Sequence, residues 1–302
     1  MNWLQQLING FGLGSIYALI ALGYTMVYGV LRFINFAHSD VLMLGAFGAF
    51  FLAPSIGKLL PVPSYLGALI VVAVAAFGCA LIGILIERLA YRPLRNRPKL
   101  TVLITAIGVS LLIEYSCQHR ALFGAQTRPF PKLLPEQTFH AGALSITSYD
   151  VVVLLVTIVL LALLWYIVQK TRIGTAMRAV AYNHQAASLM GVNIDRVISF
   201  TFGLGSALAA IAGIMYAAKA PGIEPLMGVQ PGLRAFIAAV LGGIGNLPGA
   251  VLGGLVLGLL ETFAGGIPGI SNYRDGIAFA ILILILLFRP AGLLGKAQIE
   301  KV

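Results

Sequence analysis

Long apolar runs separated by short polar ones set the pattern of this chain. Nine runs read as membrane helices: 10–30, 41–56, 65–86, 100–117, 149–168, 197–217, 233–245, 250–264 and 275–288. Most come close to the ~20 apolar residues that a helix needs to cross a bilayer. The seventh and eighth are short and glycine-rich, and Gly245-Asn246-Leu247-Pro248-Gly249 joins them, so they need not each cross fully. A transmembrane barrel would instead alternate apolar and polar residues in segments of about ten. That alternation is absent. The pattern predicts an all-α, polytopic integral membrane protein of about 8–9 transmembrane helices in a single domain, 1–302.

The polar breaks fix sidedness. After Glu87 comes the most basic stretch, with Arg88, Arg92, Arg95, Arg97 and Lys99, and basic loops stay on the cytoplasmic side. The next break, 119–148, contains prolines and becomes a small ordered excursion on the outer side. The loop 170–196 then returns to the cytoplasm, and Arg289, Lys296 and Lys301 place the C-terminus there too. Counting back puts the N-terminus outside, provided that Arg32–Asp40 reaches the inner face. Residues 1–10 lack a basic n-region and a cleavage site, so the first run is a retained helix and not a signal peptide.

Composition sharpens this picture. Hydrophobic residues make up 59% of the chain and charged residues 10%, with a mean hydropathy of +0.95. A soluble domain carries roughly a quarter charged residues. The 35 glycines suit helices whose backbones approach closely. The net charge of +10 does not indicate nucleic acid, because its basic residues flank apolar runs. Cys79 and Cys117 lie in separate apolar runs, as packing thiols would. A faint echo links Gly14-Ser15 with Gly205-Ser206 and Arg32 with Arg234, and the opposite orientation of the two copies suggests an inverted repeat.

The polar stretch Lys170–Arg196 stands out, with four basic residues, one acid, two Asn, a His and a Gln between two apolar runs. Met177, Val180, Ala181, Ala187 and Met190 recur at helical spacing, which predicts one short amphipathic helix over 175–190, bracketed by Gly174 and Gly191. Such a helix suits a groove in another protein, and an ordinary loop helix is the alternative. Within this loop Gln185-Ala186-Ala187, followed by Gly191, resembles the EAA loop of ABC-importer permeases, with Gln where Glu is usual. The wider run from Arg178 to Gly213 resembles the permeases of branched-chain amino acid importers, as does Asn35-Phe36-Ala37-His38-Ser39-Asp40, which has Ser39 where that family has Gly.

The resemblance covers nearly the whole chain. It implies a multi-pass permease of the bacterial inner membrane, paired with a second, related permease as a heterodimer. Cytoplasmic ATPase subunits and a periplasmic or extracellular solute-binding protein would complete the system. The loop then becomes the coupling helix that sits in a cleft of the ATPase. Gly174, Arg178, Ala179, Gln185, Ala186, Ala187 and Gly191 are the coupling candidates. The small alanines permit close approach, Gly191 the turn, and Arg178 an ion pair with an acid of the ATPase. The implied cargo is a branched-chain or other hydrophobic amino acid, with urea or amides as the alternative.

Polar groups inside apolar runs need partners or water, because an unpaired charge in hydrocarbon costs several kcal/mol. Asn35, His38, Asp40, Glu114 and Arg234 are accordingly candidates for the translocation path. Asn35 and Asp40 have a second reading, as helix caps that satisfy the break. Glu114 and Glu261 are each expected to pair with an arginine or a helix terminus, and Arg274-Asp275 to start a helix. Arg234 fits either the carboxylate of an amino acid or an interfacial anchor.

No enzyme signature is present. There is no G-x-x-x-x-G-K-[ST] phosphate loop, so ATP hydrolysis belongs to a separate chain. His38, His119, His140 and His184 form no H-E-x-x-H motif, and two cysteines make no zinc pair, so neither cofactor nor metal is expected. The competing class is a self-sufficient secondary transporter or channel, in which Asp40, Glu114 or Glu261 would carry protons or bind ions.

Overall fold

The computed structural model describes residues 3–95, 97–141, 144–220, 222–267, 269 and 273–295. The expectation about Lys296 and Lys301 lies outside these residues. The helices are α1 (Trp3–Leu31), α2 (His38–Ile56), α3 (Tyr65–Ile86), α4 (Lys99–Gln118), α5 (Ser148–Lys170), α6 (Arg172–Tyr182), α7 (His184–Leu189), α8 (Ile194–Lys219), α9 (Val229–Gly242), α10 (Leu247–Gly265) and α11 (Arg274–Phe288). Among the described residues, seven stretches are long and apolar enough to cross a bilayer, and α9 and α11 are shorter apolar helices. Together they account for the nine predicted runs.

Boundaries differ where charge or glycine misled the pattern. α1 begins at Trp3, well before position 10. The basic stretch after α3 is not all loop: Glu87–Tyr91 form a turn of π-helix and Arg92–Leu94 a turn of 3₁₀-helix. The outer excursion contains an antiparallel pair, β1 (Thr138–Ala141) and β2 (Leu144–Thr147), with Phe139 opposite Ile146. As expected, α11 starts at Arg274.

The largest correction concerns the predicted helix over 175–190. It is two helices, α6 and α7, broken at Asn183. Asn183 is extended (φ −155°, ψ 114°), and its side-chain oxygen accepts the Ala186 N–H at 3.0 Å. An Asn side chain offers the backbone an alternative to continued helix, so it ends one helix and caps the next.

The chain divides into two compact units. One comprises residues 26–135 and 165–233. Its core is α2, α3 and α8, which meet where side chains are small. A Cβ on Gly45 would lie 2.3 Å from the Ala210 Cα, one on Gly213 2.1 Å from the Leu42 carbonyl oxygen, and one on Gly83 1.9 Å from the Ser206 hydroxyl. Met43, Phe47, Cys117, Ala217 and Ile223 belong to a buried apolar cluster, with the Phe47 and Phe123 rings stacked at 4.3 Å.

The other unit comprises residues 1–25, 136–164 and 234–302. Within it, α1 and α10 cross on glycine. A Cβ on Gly258 would lie 2.3 Å from the Gly14 backbone, and one on Gly254 2.5 Å from Ala18. Gly10, Gly14, Gly254 and Gly258 thus form two small-x-x-x-small pairs that bring the backbones together. By contrast, in the first unit α3 and α4 present Leu69, Phe77, Leu81, Ile104 and Leu112 outward, as lipid-facing helices do. Cys79 and Cys117 are buried and unbridged.

Candidate functional site

The 170–196 loop is fastened to the end of α5 by side chains that reach the carbonyls of its last turn. Thr171 caps α6, its hydroxyl accepting the Gly174 N–H at 3.1 Å and donating to the Ile167 carbonyl at 2.5 Å. Gly174 abuts that carbonyl so closely that a Cβ would lie 2.1 Å from its oxygen. The Arg178 guanidinium donates to the Val168 carbonyl and, at 3.3 Å, to the Thr175 hydroxyl. Met177 and Val180 are buried beneath α6, with Ala179 half-buried. Here Gly174 is a close-approach glycine inside the first turn, and not the helix breaker that its place in the sequence suggested.

α7 projects from this base. Ala187 is buried, whereas Gln185 and Ala186 are exposed. Gly191 closes the helix at φ +82°, where side chains are strained. Its N–H donates to Ser188 and that of Val192 to Ala187, each at 3.0 Å, which is the Schellman pattern of a glycine stop. Around α7, Tyr182, Leu189 and Met190 are 87%, 88% and 84% exposed. Met190 therefore does not share the buried stripe of Met177 and Val180, as helical spacing had implied.

Arginines hold the inner side of the loop. Arg32, itself at φ +55°, donates to the Ala181 carbonyl at 2.9 Å. Arg95 bonds to Glu87 through one nitrogen and to Asp195 through another at 2.7 Å, and Arg92 also pairs with Asp195. The Ser199 hydroxyl donates to the other oxygen of Glu87 at 2.5 Å. Glu87 is wholly buried, so removal of a partner would strand a buried charge at a cost of about 3–5 kcal/mol. Burial pushes the Arg95 guanidinium down from its usual range, and Asp195 opposes that shift. Partial burial likewise lowers His184, with the Arg95 and Arg32 cations adding to the effect. A lowered histidine keeps the loop's conformation favoured above the ordinary value near 6.5 and disfavours it as pH falls below.

This cluster was missed in the sequence. Its only signal was two isolated acids, Glu87 at the head of the basic stretch and Asp195 in the loop.

The polar groups of the Arg32–Asp40 break meet different surroundings. Asn35 accepts the Tyr91 hydroxyl at 2.7 Å, both residues being buried, and the Tyr91 ring lies against Phe33 and Phe202. α2 is capped by Ala37 without a side-chain bond, so neither Asn35 nor Asp40 is its cap. Asp40 is buried beside Ser110 and Glu114, with Oδ2 unpartnered among the described residues. Glu114 thus faces a second acid where an arginine or a helix terminus was expected. His38, in the first turn of α2, is buried.

In the other unit, Arg234 lies 3.1 Å from Glu261, the arginine expected for that acid. The Tyr17 hydroxyl joins them, donating to Glu261 at 2.7 Å and accepting from Arg234 at 3.0 Å. Among the described residues no group of three His, Cys, Asp or Glu is placed to hold a metal ion.

Comparison with known proteins places this arrangement. Residues 6–286 match the family model described as branched-chain amino acid transport system / permease component. The high-affinity branched-chain amino acid transport system permease protein LivH of Escherichia coli (strain K12) is 40% identical over 313 residues, covering 100% of this chain and 98% of that protein. The corresponding permease BraD of Pseudomonas aeruginosa is 40% identical over 310 residues, with the same coverage. The ribose import permease protein RbsC of Haemophilus influenzae is 32% identical over 133 residues, 42% of this chain and 41% of that protein. No solved structure matches. With the family model spanning nearly the whole sequence and relatives aligned end to end, the chain belongs to the permease family of branched-chain amino acid transport systems.

Proposed function

We propose that this chain is the membrane-spanning permease of an ATP-driven importer, and that it moves branched-chain or related hydrophobic amino acids inward by alternating access. The chemistry is transport, with ATP hydrolysis in separate cytoplasmic subunits and capture of solute by an external binding protein. A second, related permease completes the pathway as a heterodimer in the plasma membrane. The C-terminus and the 170–196 loop face the cytoplasm.

The observation that carries the coupling assignment is the exposed apolar patch around α7. Tyr182, Leu189 and Met190 stand out from a loop whose base is fixed by Gly174 and Arg178. Unburied aromatic and aliphatic side chains beside a fixed base suit insertion into a protein groove. Gln185 and Ala186 lie on the same exposed helix, where a small side chain admits a partner backbone. ATP-driven closure of the ATPases would move α7, and Ala187 and Gly191 would pass the displacement into α8. Asn35, His38, Asp40, Glu114 and Arg234 remain the candidates for residues along the path.

Leu189→Glu tests this directly, because a charge at the tip opposes burial without touching the fold. Affinity-purified complex should lose the ATPase subunits, and cells should lose uptake, while the amount of inserted permease is unchanged. Retention of both ATPase and uptake would refute the docking role.

A further inference from the structure

We propose that Glu87, Arg95, Asp195 and Ser199 form the rigid linkage through which movement of the α6–α7 loop is delivered to α3 and α8 together. The inference rests on the coupling role proposed for that loop and assigns residues beyond the coupling helix itself.

Three observations lead to it. First, the loop is asymmetric. Upstream, α6 is fixed to the end of α5 by the Thr171 cap, the Gly174 contact and Arg178. Downstream, α7 ends at the Gly191 turn, and Asp195, in the first turn of α8, is the first charged side chain beyond it. Asp195 is held by both Arg92 and Arg95.

Second, the linkage runs inward in one unbroken chain. Arg95 passes from Asp195 to Glu87, and Glu87 receives Ser199, one turn further along α8. α8 is thereby gripped at two successive turns by the segment that extends α3. Glu87 and Tyr91, the first and last residues of the π-turn, are both buried. Tyr91 in turn holds Asn35, so the same segment also reaches the break before α2.

Third, the charges are not needed to hold the helices together. α3 and α8 already interlock at Gly83–Ser206 and Gly203–Ile84, contacts that need no ions. Apolar burial by itself is non-directional. A planar guanidinium bonded to two carboxylates fixes direction and register as well. An ionic linkage, buried at its Glu87 end and added to close packing, is the device expected where a displacement must arrive without slippage.

The test uses the complete importer in proteoliposomes, with both permeases, the ATPase subunits and the binding protein, measuring leucine taken up and ATP hydrolysed. Asp195 is partly exposed, so Asp195→Asn should fold. Uptake should fall about tenfold or more, the scale of a coupling free energy, while hydrolysis stimulated by the loaded binding protein persists. ATP consumed per leucine therefore rises. Asp195→Glu should restore the ratio, and Glu87→Gln should raise it as Asp195→Asn does. Wild-type uptake by Asp195→Asn would overturn the linkage, as would equal losses of uptake and hydrolysis. Leu189→Glu, run in parallel, tests the coupling role separately: it should lose uptake and stimulated hydrolysis together. If Leu189→Glu fails in that way while Asp195→Asn transports normally, the linkage alone is wrong; if Leu189→Glu transports normally, the coupling role itself is wrong.

Discussion

Gly191 is the residue on which the loop turns. At φ +82° it meets no heavy atom within 4 Å of where a Cβ would stand, so the constraint there is conformational and not steric. A left-handed conformation costs an ordinary L-residue roughly 1–2 kcal/mol, and β-branching aggravates it, whereas Asn adopts it readily. Gly191→Val should therefore lower uptake about tenfold, since each ~1.4 kcal/mol is a factor of ten. Gly191→Asn should keep most of it, with both variants inserted at wild-type levels. Uptake assays normalised to membrane content decide the matter, and equal activity of the two variants would show that the turn is not under conformational demand. Gly191 was legible in the sequence as a helix stop. Gly174 was legible as a bracketing glycine but not as a close contact, because its demand comes from the Ile167 carbonyl of the preceding helix. No local pattern reports such a contact.

At the level of elements, Asn183 separates a fixed helix from a projecting one. Its extended backbone ends α6, and its side chain caps α7. Asn183→Ala removes a cap worth about 1 kcal/mol and lets the helical pattern run through. The expected result is a loop of higher helicity that captures less ATPase in co-purification, with α6 still anchored by Arg178. Undiminished capture would mean that the break is incidental. Periodicity read this stretch as one helix because Met190 continues the spacing of Met177 and Val180. Apolar spacing is the same for a side chain buried in its own chain and for one offered to a partner. The basic stretch misled in the opposite way. Charge marked it as loop, although Glu87–Tyr91 continue the helix in order to bury an acid against Arg95 and Ser199. The membrane runs themselves were legible because burial in lipid demands long apolar helices whatever their neighbours.

Across the larger unit, the ends of α4 and α8 fix a common direction. The stretch leading into α4 is joined to the start of α8 by the Arg92 and Arg95 pairs with Asp195. The segments that follow their far ends are joined by the backbone pairing of Arg128 with Ile223 and by Thr127 bonding to Glu224 at 3.2 Å. The two helices thus run in parallel, and the basic stretch shares one side with the 170–196 loop. The positive-inside argument gave each of these loops to the cytoplasm separately; their ionic contact makes that one decision instead of two. Single cysteines at Arg97 and Gln185 should then resist a membrane-impermeant maleimide in intact cells and react after permeabilisation. Cysteines at Gln126 and Glu224 should react from outside without it. The native thiols do not confuse the readout, since Cys79 and Cys117 are both buried. If positions 97 and 185 label from opposite sides, the Arg95–Asp195 contact cannot exist in the membrane, and the linkage argued from it falls too. If both label from outside, the contact stands but the docking surface faces away from ATP, and the assignment of α7 to an ATPase fails.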